Sequence, residues 1–261
     1  MIVVKFGGHA MKDENGNFSK AIKSVVDAGT DVVVVHGGGP QIDAALLESG
    51  IVSTFVGGFR VTTPQIFAIV ERVLTKDVAN VVVAHLSAIG IKAKAISGRT
   101  NGILVARKLS NLVDGTKVDL GLVGEVSAVD TRQVLALLED KCVPVISPIA
   151  TNAEGTQGFN VNADLAAAAL AGALGAQFLI IMTDVAGIYR DWPDQGSLID
   201  QISASELEKI KGNFAQGMAP KVKACLDAIE YGAKAVRIID GTNANSFSEA
   251  LHGRGGTLVM A

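Results

Sequence analysis

The strongest constraint in this chain is a series of short apolar runs, rich in Val and Ile, that alternate with helix-forming stretches. The runs are Ile2–Phe6, Asp31–His36, Lys92–Ile96, Val143–Ser147, Gln177–Thr183 and Ala235–Ile239. Near-continuous β-branched runs of this length are strands buried on both faces, as in a parallel sheet; a half-exposed strand would alternate apolar and polar residues. Helical patterns fall between them at Ser19–Ala28, Pro40–Ser49, Pro64–Ile89, Thr131–Asp140, Ala163–Leu174, Ala204–Lys211, Met218–Tyr231 and Phe247–Leu251. Pro40 and Pro64 suit first helical turns, where a missing N–H costs nothing. Gly29, Gly50, Gly90 and Gly232 suit helix C-terminal caps. This order predicts βαβ units around a mostly parallel sheet.

The segment Ile103–Val129 departs from that rhythm. Its short β-like pieces, Leu104–Lys108, Lys117–Leu122 and Val126–Val129, read as hairpin material that can cover a small ligand. No Pro/Ser-rich linker divides the chain, and two lobes are expected, residues 1–150 and 151–261. Asp191–Ser197 reads as a surface turn.

Composition removes several classes of function. The chain is 49% apolar with 5% aromatic residues and a net charge of −3, so it folds, around a core of Val, Ile, Leu and Ala. Its 23 basic residues face 26 acidic ones, which argues against nucleic acid as a partner. Two cysteines, Cys142 and Cys225, make neither a disulfide framework nor a four-ligand zinc site, and both read as core residues. The stretch Leu165–Met182 has the length of a membrane span. Gly172, Gly175 and Gln177 interrupt it, so a helix, a turn and a strand explain it better, and no membrane association is expected. Met1 runs straight into a strand with no basic leader, which predicts a cytoplasmic protein.

The residues that carry chemistry gather at expected strand ends. Lys5-Phe6-Gly7-Gly8 closes the first strand, and His36-Gly37-Gly38-Gly39-Pro40 closes the next and opens a helix. Glycines there let backbone N–H groups approach an anion, and a helix N-terminus adds its positive end. Neither cluster has the spacing of a dinucleotide fingerprint or of a P-loop. Lys5 is a candidate phosphate ligand, and Lys221, one turn into a helix, is a second. In Asn160-Val161-Asn162-Ala163-Asp164, Asn162 suits a helix cap; Asn160 and Asp164 are surplus and available to a ligand, with Asp164 able to hold the two lysines. Thr183-Asp184-Val185-Ala186-Gly187-Ile188-Tyr189 follows the most apolar strand, at the sheet edge where open α/β folds bind ligands.

With these motifs in order, the sequence resembles the N-acetyl-L-glutamate kinases of the amino acid kinase family. The shared runs are Val4-Lys5-Phe6-Gly7-Gly8-His9-Ala10-Met11, Val35-His36-Gly37-Gly38-Gly39-Pro40-Gln41-Ile42, Gly58-Phe59-Arg60-Val61-Thr62, Asn160 to Asp164, and Gly217-Met218-Ala219-Pro220-Lys221-Val222; Val118 to Val126 also fits. The resemblance implies a three-layer αβα sandwich with an N-lobe for the acyl amino acid and a C-lobe for ATP. It implies catalytic roles for Lys5, Lys221 and Asp164, and substrate binding by Gly38, Gly39, Arg60 and Asn160. Nucleotide binding falls to Gly8, the segment Asp184, Val185, Ala186, Gly187, Ile188 and Tyr189, and Asn213, Phe214 and Ala215. ATP with Mg²⁺ is the implied cofactor, the ion held chiefly by phosphates, so no protein metal site is expected. The nucleophile would be a substrate carboxylate, ionised at neutral pH and needing no general base. A kinase of carrier-linked or N-acylated aminoadipate is the nearest alternative, and a non-catalytic amino-acid sensor the second. Arginine-inhibited relatives carry an extra N-terminal helix, so an arginine-insensitive homodimer is expected, paired through the helix at Pro64–Ile89.

Overall fold

The computed structural model describes residues 1–7, 16–214, 218–243 and 245–261. In chain order the elements begin with β1 (Ile2–Phe6), α1 (Asn17–Asp27), β2 (Val32–His36), α2 (Gly39–Glu48), β3 (Phe55–Val56), β4 (Phe59–Arg60) and α3 (Pro64–Arg72). A π-helical segment, Val73–Val78, leads into α4 (Ala79–Ala88), followed by β5 (Ala93–Ser97), β6 (Leu104–Lys108), β7 (Val123–Val129), α5 (Arg132–Glu139) and β8 (Val143–Ser147). Then come β9 (Ile149–Thr151), β10 (Gly158–Val161), α6 (Ala163–Ala173), β11 (Phe178–Thr183), β12 (Gln201–Ser203) and α7 (Ala204–Ile210). The chain closes with α8 (Ala219–Glu230), β13 (Ala235–Asp240), α9 (Ser246–Leu251) and β14 (Thr257–Met260).

Eight strands form one sheet in the order β12-β14-β13-β11-β1-β2-β8-β5. Neighbours run parallel except β13 and β14, which are antiparallel. The mostly parallel sheet is as expected from the apolar runs. Strand side chains alternate faces, and β1 shows the consequence. Val4 and Phe6 enter one core, with residues of α1, α2, α3, α4 and α9. Val3 enters the other, with α5, α6, α7 and α8. Helices therefore cover both faces, giving the αβα sandwich. Lys5, two residues after Val3, falls on the α6 face, and this parity decides which helices it meets.

Two sequence expectations change. The helix expected over Pro64–Ile89 is continuous in direction but contains the π turn at Val73–Val78. The strand expected at Lys117–Leu122 is absent: residues there make only the isolated bridges Asn111–Lys117 and Thr62–Gly121. The flanking pieces, β6 and β7, close a four-stranded barrel with β9 and β10. Leu165–Met182 resolves into α6, a turn and β11, and among the described residues no helix is long and apolar enough to cross a membrane.

α6 explains the alanine-rich stretch. Residues Asp164 to Gly172 are all buried, because small side chains let the helix sit close on the sheet with α8 across it. Its N-terminus carries Asn162 as cap, the side-chain oxygen accepting from Asp164 and Leu165 backbone N–H groups.

Candidate functional site

Two cavities open along the carboxyl ends of β1, β2 and β11. The first, about 350 Å³, is lined by Lys5, Gly37 to Gly39, Arg60, Asn160 and Asp164, among others. The second, about 790 Å³, is lined by Asp184, Val185, Tyr189, Trp192, Asn213, Phe214 and Lys221, among others.

Asp164 stands between them. Its Oδ1 lies 3.0 Å from Lys5 Nζ and its Oδ2 3.5 Å from Lys221 Nζ. Lys5 comes from the α6-facing parity of β1, Asp164 from the first turn of α6, and Lys221 from the first turn of α8. Lys5 Nζ also donates to the carbonyl of Met182 at the end of β11. Gly7 must be glycine for this strand end to close, since a Cβ would lie 2.6 Å from that same carbonyl oxygen. Burial alone would push the Asp164 carboxyl up; the two ammonium groups outweigh it and the net shift is downward. Asp164 is therefore a fixed carboxylate between two cations, unsuited to carry a proton. One carboxylate against two lysines leaves the junction with surplus positive charge, which suits a transferring phosphoryl group.

The first cavity is walled by bonded polar groups. Arg60 is buried; its Nη1 donates to Asp43 Oδ1 at 2.6 Å and to Ser53 Oγ, and its guanidinium lies 4.5 Å from the centre of the Phe55 ring. Asn160 Nδ2 donates to Thr62 Oγ1 at 3.1 Å, and that hydroxyl donates to the Arg60 carbonyl. The N-termini of α2 and α6 both border the cavity, adding their positive ends. A planar guanidinium and an amide across a glycine turn make a carboxylate- and amide-binding set.

The second cavity is built mostly from loops, with Ile210 of α7 and Lys221 of α8. Tyr189 and Trp192 form an edge-to-face pair with ring centres 5.2 Å apart, in reach of a flat ligand ring. Asp191 and Trp192 belong to the turn expected from sequence at the surface, where both are exposed, and they also line this cavity. Gly187 and Ile188, expected at the nucleotide, do not line it: both are buried, the Ile188 side chain is core, and its backbone N–H donates to Thr257 Oγ1. Ala186 does not line it either and is half-buried. Gly8 and Ala215 lie outside the described residues. Sequence reading missed Asp43, Ser53 and Thr62, whose role depends on Arg60 and Asn160 meeting them across the fold, and Trp192, whose one signal was being the single tryptophan of the chain. Cys142 and Cys225 are buried free thiols, and burial raises the pKa of both.

A family model described as the amino acid kinase family matches residues 1–240. The chain is 46% identical over 242 residues to a protein of Streptomyces avermitilis named acetylglutamate kinase, covering 92% of this chain and 80% of that one. It is 50% identical over 244 residues to one of the same name from Clavibacter michiganensis subsp. michiganensis, with coverages of 92% and 80%. Among solved structures, the smu.665 protein of Streptococcus mutans UA159 matches with a TM-score of 0.82 at 28% identity, covering 100% of this chain and 98% of that one. Carbamate kinase from Giardia lamblia bound to AMP-PNP shares the fold, with a TM-score of 0.72, 19% identity and coverages of 99% and 97%.

Proposed function

This chain belongs to the amino acid kinase family, and on that premise we propose that it transfers the γ-phosphoryl group of ATP to the side-chain carboxylate of N-acetyl-L-glutamate. The observation that carries this reading is Asp164 bridging Lys5 and Lys221 where a small cavity meets a larger one. The smaller cavity takes the acceptor. Arg60 grips its α-carboxylate, Asn160 bonds the acetylamino group, and the N–H groups of Gly38 and Gly39 face the reacting carboxylate. The larger cavity takes ATP, along Asp184 to Tyr189 and Asn213 and Phe214. In this division residues 1–150 serve chiefly the acceptor and residues 151–261 the nucleotide.

The reaction follows from charge. An acceptor carboxylate oxygen, ionised at neutral pH, attacks the γ-phosphorus; the bond to the β-phosphate oxygen breaks and ADP leaves. No base is required. Lys5 and Lys221 neutralise the phosphoryl oxygens from either side, and Asp164 keeps both ammonium groups in line. Mg²⁺ neutralises phosphate charge when bound with ATP. Asp164 is committed to the two lysines, so the ion would be held chiefly by the nucleotide phosphates. The protein acts in the cytoplasm as a homodimer, joined by the outer face of the helix at Pro64–Ala88, where Val81 stands exposed.

The test traps acyl phosphate as hydroxamate from ATP and each of N-acetylglutamate, glutamate, aspartate and N-acetylaminoadipate. N-acetylglutamate should give the highest kcat/KM. Preference for N-acetylaminoadipate overturns the substrate, and no hydroxamate from any acceptor overturns the kinase. Light scattering reads the dimer, and a monomer at working concentration refutes it.

A further inference from the structure

The mechanism above leaves a buried histidine without a task. His36 ends β2 and is fully buried. Its Nδ1 lies 2.7 Å from the Gly37 carbonyl oxygen, and its Nε2 lies 2.9 Å from Ser147 Oγ at the end of β8. Ser147 Oγ in turn lies 3.0 Å from the Leu74 carbonyl oxygen, in the π turn. That π turn is what makes the carbonyl reachable, for Leu74 O takes its helical bond from Ala79, five residues on. The Leu74 side chain then packs on Gly38, where a Cβ would lie 2.5 Å from Leu74 Cδ2.

Counting hydrogens fixes the ring. Three contacts link Gly37 O, His36, Ser147 and Leu74 O, and both ends are carbonyls that only accept. A neutral imidazole and a hydroxyl supply two hydrogens. Burial lowers the His36 pKa to about 4, partly offset by the Gly37 carbonyl, so the ring is neutral at physiological pH. Leu74 O already has Ala79 N–H, whereas the Gly37 contact is the shortest of the three. The hydrogen therefore sits on Nδ1 and donates to Gly37 O, and Nε2 accepts from the Ser147 hydroxyl.

The peptide plane transmits this choice. In a trans peptide the C=O and the following N–H point in opposite directions. Fixing Gly37 C=O toward the buried ring fixes the Gly38 N–H away from it, and Gly37 to Gly39 border the acceptor cavity. We propose that His36 and Ser147 are positioning residues for phosphoryl transfer: an Nδ1–H···O=C bond to Gly37, with the ring held by Ser147, aims the Gly38 N–H at the reacting oxygens. This rests on the kinase reading of the site. The π turn supplies the second jaw, with the Leu74 side chain pressing on the Gly38 α-carbon.

Amide side chains separate the two links. Asn carries its amide at the reach of Nδ1, and Gln at the reach of Nε2. In the hydroxamate assay, His36→Gln should lower kcat roughly ten- to a hundredfold, with KM for ATP and acceptor within about threefold. His36→Asn should recover turnover to within about fivefold of wild type, and Ser147→Ala should fall between them. Wild-type turnover in His36→Gln, or equal loss in Gln and Asn, overturns the assignment, because a merely structural site would not rank them this way. If the His36 variants do not fold, ¹⁵N spectra of histidine-labelled wild-type protein decide, with Ser147→Ala identifying the ring. A neutral ring protonated at Nδ1 supports the proposal, and one protonated at Nε2 overturns it. A wild-type protein inert toward every acceptor sinks the kinase reading, and the tautomer still judges the hydrogen-bond relay.

Discussion

The two cavities differ in how they are made. The smaller, about 350 Å³, is walled by the ends of strands and helices, and its polar side chains are held by bonds from across the fold: Arg60 by Asp43 and Ser53, Asn160 by Thr62. The larger, about 790 Å³, is walled mostly by turns, and its aromatic Trp192 is 62% exposed. A small site of pre-bonded polar groups rejects a ligand that leaves them unpaired, whereas an aromatic edge accepts many flat rings. In the proposed reading, discrimination is therefore built on the acceptor side, and tolerance on the nucleotide side.

Removing the junction breaks this comparison outright. Lys5→Ala should lower kcat by roughly 10²–10³-fold while both KM values change little, measured by steady-state kinetics. Unchanged turnover would remove Lys5 from the chemistry. Asp164→Asn leaves two largely buried lysines without their counter-charge. It should cost about 3–5 kcal/mol, seen as a melting temperature lower by several degrees, with turnover falling as well. Its sign with pH is fixed: Asp164 is depressed in the folded state, so its contribution is full above the ordinary carboxylate pKa and is lost as pH falls through the lower folded value. The wild-type advantage in denaturant should hold steady from about pH 5 to pH 8 and close in stronger acid; a gap that closes near neutrality would refute it.

Finer substitutions test the two sides separately. Arg60→Lys loses the planar two-pronged grip and should raise the acceptor KM about ten- to fiftyfold with the ATP KM unmoved. Parallel rises in both would show that the cavities are not independent. Trp192→Ala should be the mildest, raising the ATP KM by about two- to fivefold and leaving the acceptor KM alone. A larger effect on the acceptor would reverse the assignment of the cavities.

Much of the fold is legible in the sequence because burial on both faces leaves an unbroken apolar run. β1 and β8 begin and end where those runs do. The short strands β3, β4, β9, β10, β12 and β14 were not legible: with two to four residues each, they show too little periodicity to register. The π turn left no mark either, since one extra residue in a helical turn does not disturb an apolar pattern already dense from Val73 to Val82.

By itself the sequence determined the apolar strands, the glycine-rich strand ends, and which lysines and carboxylates stand near them. Tertiary structure alone decided their meeting. Lys5 faces Asp164 because β1 alternates sides and α6 begins on the side Lys5 takes; Lys221 joins them because α8 packs across α6. Asp43, Ser53, Thr62, Ser147 and Leu74 acquire roles through partners on other elements. Local sequence sets a residue's chemistry and its face, whereas the distance between two such residues is set by how the layers pack.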